Sequence, residues 1–155
     1  MAAVFETLVF IHVVAAAIFV GSGGLLLLMG VRALSTSDPA VAEGRARDMV
    51  AAGRFAGPRL FVPAALVLIV FGVWAAGDAG LSYGDNAWLW IGIGAWVVGA
   101  LIAGPVHARN SRALRGSMDA GGWAAGRPLL RRDLAISVVE AAVLVFAVWA
   151  MVAKP

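Results

Sequence analysis

The chain contains no cysteine, which excludes disulfides, thiolate metal centres and cysteine nucleophiles at the outset. It is also poor in charge: Asp, Glu, Lys and Arg make up 14% of its 155 residues, against 62% hydrophobic residues. Soluble domains carry about a quarter of their residues charged. With a mean hydropathy of +0.91, this chain falls in the membrane class instead. A secretory leader is not expected either. Met1 to Gly30 is apolar, but Glu6 stands where a leader has its basic region, and the run exceeds a leader's apolar core. The segment is therefore expected to be retained.

What the chain has is long apolar runs: Val4 to Gly30, Leu60 to Gly77, Ala87 to Val106 and Leu134 to Ala153. About 20 apolar residues span a ~30 Å hydrocarbon layer. The expectation is an all-α integral membrane four-helix bundle in a single domain, 1–155, with helices over 4–30, 60–77, 87–106 and 134–153. Basic residues fix its orientation, because short Lys/Arg-rich loops stay in the cytoplasm. Arg32, Arg45, Arg47, Arg54 and Arg59 belong to the first connection, and Arg109, Arg112, Arg115, Arg127, Arg131 and Arg132 to the third. The second connection, Asp78 to Asn86, has two aspartates and no basic residue. Both termini are thereby expected on the non-cytoplasmic side. Trp74, Tyr83, Trp88, Trp90 and Trp149 fall near the outer helix ends, where amphipathic rings prefer the interface. The pI near 10.6 then reports topology and anionic lipid headgroups, with no nucleic-acid partner.

The connections carry signals of their own. Ser37-Asp38-Pro39 reads as a capped helix start, predicting a short amphipathic helix over 39–56 at the membrane interface that turns at Gly57-Pro58 into the second span. Pro63 predicts a kink or a wider first turn in that span. The third connection extends helix three briefly before its glycines break it. Ala95, Gly99 and Ala103 recur every four residues, as do Ala17 and Gly21, and such small residues let helices approach closely in lipid.

Few residues offer chemistry: Glu6, His12, Arg59, His107 and Glu140. Glu6 reads as a solvated group at the outer interface. Arg59 and His107 sit at the inner ends of helices two and three, where interface anchoring is the default. Glu140 lies two turns inside helix four, and a carboxylate at that depth pairs or neutralises, with Arg59 or His107 at its level. His12 lies within the bilayer, where an ionisable group faces other helices or a cavity. As a lone imidazole it is a candidate haem ligand. His12 and His107 are separated by roughly 20 Å along the membrane normal, so one iron cannot take both. No catalytic residue and no metal site is assigned: copper would need soft or paired ligands that the chain lacks around His12.

The first-helix histidine with its glycine cluster (FIHVVAAAIFVGSGG), the FGVW segment and the MVAKP end together resemble an uncharacterised bacterial integral membrane family, domain of unknown function 2269, over essentially the whole chain. That resemblance implies membrane helices and a bacterial inner (cell) membrane location, and names no reaction. A more distant likeness, carried by His12 alone, is to the membrane protoporphyrinogen oxidases and the copper-resistance membrane proteins.

Three functional readings follow. A non-catalytic membrane subunit or scaffold, as a homo-oligomer or within a larger membrane complex, fits the small-residue faces and sparse polar chemistry and stands first. A haem-binding redox protein using His12 stands second. The third is a small proton-coupled transporter centred on Glu140.

Overall fold

The computed structural model describes residues 2–153, the side chains of Ala2, Ile102 and Ala103 excepted. Among the described residues every regular element is helical. Helix α1 (Ala2–Leu34) runs 33 residues without a proline, about 50 Å at 1.5 Å per residue. Its two hydroxyls in the apolar stretch bond back one turn: Thr7 to the Ala3 carbonyl at 2.8 Å and Ser22 to the Ile18 carbonyl at 2.7 Å. Hydrocarbon offers such groups no other partner.

Helix α2 (Pro39–Ala56) starts as its capping signature dictates. The Asp38 carboxylate accepts from the amides of Ala40 and Val41 at 2.8 and 3.3 Å, and Pro39 takes the first helical position. No turn separates α2 from the next span. A wide π-type turn, Gly57–Phe61, carries it straight into α3 (Val62–Asp78), so residues 39–78 form one helical rod. After the 79–86 loop comes α4 (Ala87–Trp96), then a second wide turn, Val97–Ala103, and α5 (Gly104–Ala153).

Both wide turns have the same local cause. Each closes on an amide reaching five residues back, Val62 to the Gly57 carbonyl and Gly104 to the Gly99 carbonyl. Each of these donors directly precedes a proline, Pro63 or Pro105. A proline ring collides with the carbonyl four residues before it, and one extra residue in the turn moves that carbonyl away. The widening expected at Pro63 is present, and Pro105 repeats it.

The third connection is not the broken loop its glycines suggested. Residues 104–121 are helical throughout, and the chain reverses at one point, Gly122, with φ 66° and ψ −160°. That backbone region is open essentially to glycine alone. The chain before Gly122, from α4 through the second wide turn into the first limb of α5, then pairs in antiparallel order with the limb after it: Leu114 and Met118 lie against Gly126, His107 against Asp133, Gly99 against Glu140, Gly92 against Met151. Three long stretches, 3–34, 39–78 and 87–153, are thus apolar enough to cross a membrane, the last doubled on itself.

Packing is densest away from the apolar windows. At the arginine-rich end, Ala33, Ala46, Met49, Val50, Leu114, Met118, Leu130 and Leu134 form one core joining α1, α2 and both limbs of α5. Leu114 and Leu130 are fully buried there, worth about 1.5–3 kcal/mol each. The apolar face of α2 (Ala42, Ala46, Met49, Val50) is buried. Arg47 ties α2 to α5 by donating to Asp119 at 2.6 Å while its fork holds Glu43.

By contrast, only 11–22% of the most apolar windows is buried, and Phe10, Val145 and Val152 stand 68%, 68% and 79% exposed. In water that surface would be prohibitive. Against lipid tails it is simply solvated. Close helix approach in this region uses Ala15 on α1 and Ala64, Ala65, Ala75 and Ala76 on α3, whereas Ala17 and Gly21 face outward. Ala95 and Gly99 are buried on the α4 side, and Ala103 lies outside the described side chains.

Gly122→Ala forces a methyl-bearing residue into the left-handed bend. It is expected to destabilise the fold by about 1–3 kcal/mol, read as a lower unfolding midpoint in detergent. Gly116→Ala, on an open helical position, serves as the neutral control.

Candidate functional site

The polar residues of the α5 hairpin converge. His107 sits one turn into the first limb; Asp133 and Glu140 lie on the second, seven residues apart. Seven residues are two turns, so both carboxylates project from one face about 10 Å apart along the axis. His107 lies between them. Its Nδ1 is 2.8 Å from Asp133 Oδ1 and its Nε2 is 3.1 Å from Glu140 Oε2. Asn110, one turn beyond His107, donates to the same Asp133 oxygen at 2.9 Å. Asp133 is 7% exposed and is the one buried charged residue among those described. Glu140 is accommodated by the absence of a side chain at Gly99, where a Cβ would come within 3.3 Å of Oε1. Gly99 also supplies the carbonyl that closes the second wide turn, so a backbone irregularity stands directly opposite the carboxylate. Turns of this kind concentrate at functional sites.

This geometry sets a minimum proton count, one proton in each of the two contacts. An ionised carboxylate only accepts hydrogen bonds, and a neutral imidazole has one N–H and one lone pair. To bridge Asp133 and Glu140, either the ring carries both N–H groups between two carboxylates, or a neutral ring accepts from one protonated carboxyl. Both arrangements hold the same number of protons and differ only in where one of them sits. The three groups therefore share their protons along one hydrogen-bonded path.

His107 and Glu140 are two of the residues singled out from sequence, and the structure brings them together. Arg59 is elsewhere: its guanidinium stacks 4.5 Å over the Phe55 ring, on the exposed side of the rod. Glu6 is exposed. Asp133 and Asn110 were not anticipated from sequence. The signal for Asp133 was its two-turn spacing from Glu140, masked by the adjacent Arg131-Arg132, which read as loop.

His12 occupies a second, separate site. Its Nδ1–H donates to the Leu68 carbonyl of α3 at 2.8 Å, and the ring edge lies where a Cβ on Gly72 would come within 2.7 Å of Nδ1. Gly72 is thus a notch cut for the imidazole. The ring borders a cavity of about 200 Å³ at the 79–86 loop end, walled by α1, α3, α4, that loop and Met151. A cavity of ~150 Å³ holds one benzene ring, so this one fits a single substituted ring. A porphyrin macrocycle, four pyrroles across, is larger than this cavity. Among the described residues, no group of three or more His, Asp or Glu side chains is arranged to hold a metal ion.

A polytopic helical protein with lipid-solvated spans and an acid–histidine–acid bridge inside a helical hairpin defines the class: an integral membrane protein with one internal polar cluster. The chain belongs to the family of predicted integral membrane proteins that carry domain of unknown function 2269, whose model matches residues 6–155. No curated protein and no solved structure matches it.

Removing the bridging ring strands two carboxylates. His107→Ala is expected to cost about 3–5 kcal/mol in unfolding measurements in detergent, and Asp133→Asn, which keeps an oxygen for the ring, under about 1.5 kcal/mol. Equal and small effects would mean that the bridge holds nothing together.

Proposed function

We propose that this chain is a small proton-coupled transporter of the bacterial inner membrane in which Glu140, His107 and Asp133 relay protons. The observation that carries the reading is the His107 ring, hydrogen-bonded at both nitrogens to carboxylates two turns apart. Such a ring can accept a proton at Nε2 from Glu140 and release another at Nδ1 to Asp133 without moving. Glu140 lies deeper in the apolar limb, and Asp133 lies beside Arg131 and Arg132 at the charged end. The chain of bonds therefore runs along the direction a transported proton would take. Ionisable groups inside membrane helices are costly and mark ion pathways by default. A purely structural scaffold has no need of three such groups on one hydrogen-bonded path.

The same reading takes the hairpin at Gly122 as two crossings, giving four spans in all, with both termini outside the cytoplasm. Its support is the arginine distribution: α2 and the Gly122 end carry the basic residues, and the 79–86 loop carries none.

Glu140→Gln and Asp133→Asn keep hydrogen-bonding capacity and remove proton exchange. In proteoliposomes with a trapped pH-sensitive dye, the wild type should dissipate an imposed pH gradient, and each variant should slow that by at least tenfold while remaining folded. Unchanged rates would reduce the cluster to a structural clasp. For the topology, the absence of cysteine makes single-cysteine labelling clean. Gly84→Cys is expected to react with an impermeant maleimide on intact cells and Arg115→Cys only after lysis; the reverse pattern would invert the orientation.

A further inference from the structure

The cavity beside His12 has the attributes of a ligand site of its own. Its walls are apolar or aromatic, with Phe5, Tyr83 and Trp88 among them, and His12 supplies its nitrogen. The bond from Nδ1 to the Leu68 carbonyl can only have the ring donating, so in the neutral imidazole Nε2 holds the lone pair. Among the described residues Nε2 has no hydrogen-bond partner. No fully buried side-chain nitrogen or oxygen among them lacks one either, so Nε2 is not sealed in and opens onto free space. The backbone of α3 thus presents an oriented hydrogen-bond acceptor at the wall of an apolar cavity, held in register by the Gly72 notch. Exposed Phe5 and Val73 border it on the outer side.

We propose that this cavity binds a single-ring aromatic alcohol, with its hydroxyl donating to His12 Nε2 and its ring against Tyr83 and Trp88. Each attribute selects one part of that chemistry. The volume admits one ring with small substituents. The aromatic walls favour a flat ring at offset or edge-on contact. The His12 acceptor calls for one donor on the ligand, and nothing charged lines the cavity to compensate an ionised group. A free phenol and the head group of a membrane quinol share this chemistry. The site is independent of the proton relay, because His12 and the His107 cluster have no residue in common.

The test uses the full chain in mild detergent, titrated with 4-bromophenol, whose heavy atom quenches tryptophan fluorescence, and with 4-bromoanisole, which is nearly the same size but has no donor. The phenol should quench saturably and bind at least fivefold more tightly than the anisole. His12→Phe should erase that preference, leaving the two probes equal, and Trp88→Phe should remove most of the quenching amplitude. Displacement of the bromophenol by a decyl-tailed quinol would assign the site to membrane quinols; displacement by 4-ethylphenol alone would assign it to free phenols. Non-saturable quenching, or equal binding of both probes to the wild type, would overturn the proposal, and this comparison needs no variant to fold.

Discussion

Hydrocarbon gives polar groups nothing to bond to, and almost every irregularity of this chain is a response to that constraint. Hydroxyls on α1 bond back to their own helix. The Trp96 ring nitrogen donates to the Ala65 carbonyl at 2.8 Å, pinning the α4 side of the molecule to α3. Apart from the reversal at Gly122, backbone regularity gives way among the described residues of the long helices at the turns before Pro63 and Pro105, and both stay closed by five-residue bonds rather than opening to the surroundings. His107 and the two carboxylates satisfy one another by the same necessity.

That necessity also explains why the two histidines differ so much. His12 meets a backbone carbonyl, an acceptor with no proton to exchange, so one tautomer is held and the second nitrogen is left available. His107 meets two carboxylates, so neither nitrogen is free and a proton can sit at more than one site. The first arrangement suits recognition and the second suits transfer. Their surroundings follow suit, an apolar cavity in one case and a buried hairpin flanked by arginines in the other.

Much of this was legible in the residues. Composition and run length identify membrane helices, because lipid exposure leaves no alternative to them, and Asp38-Pro39 marks a helix start through local chemistry alone. His107 with Glu140 was one of two pairings that depth allowed, and the structure selects it over Arg59. The rest was hidden for identifiable reasons. Helix propensity in residues 104–121 outweighs their scattered glycines, and only the left-handed φ at Gly122 distinguishes the glycine that turns the chain. Asp133 was obscured because charge density reads as loop, whereas here a charged helical limb packs through Leu130 and Leu134 and turns its aspartate inward. The Ala17–Gly21 spacing resembled a packing seam, but α1 presents a different face to α3.

The central claim is that one proton is held jointly across Glu140, His107 and Asp133, and nitrogen-15 NMR of histidine-labelled protein tests it most directly. With only two histidines in the chain, the His12→Phe variant leaves His107 as the sole signal. The account predicts that Glu140→Gln shifts not only the Nε2 resonance it contacts but also Nδ1 on the Asp133 side. An Nδ1 resonance that ignores Glu140, with a ring that titrates as free histidine does, would contradict it.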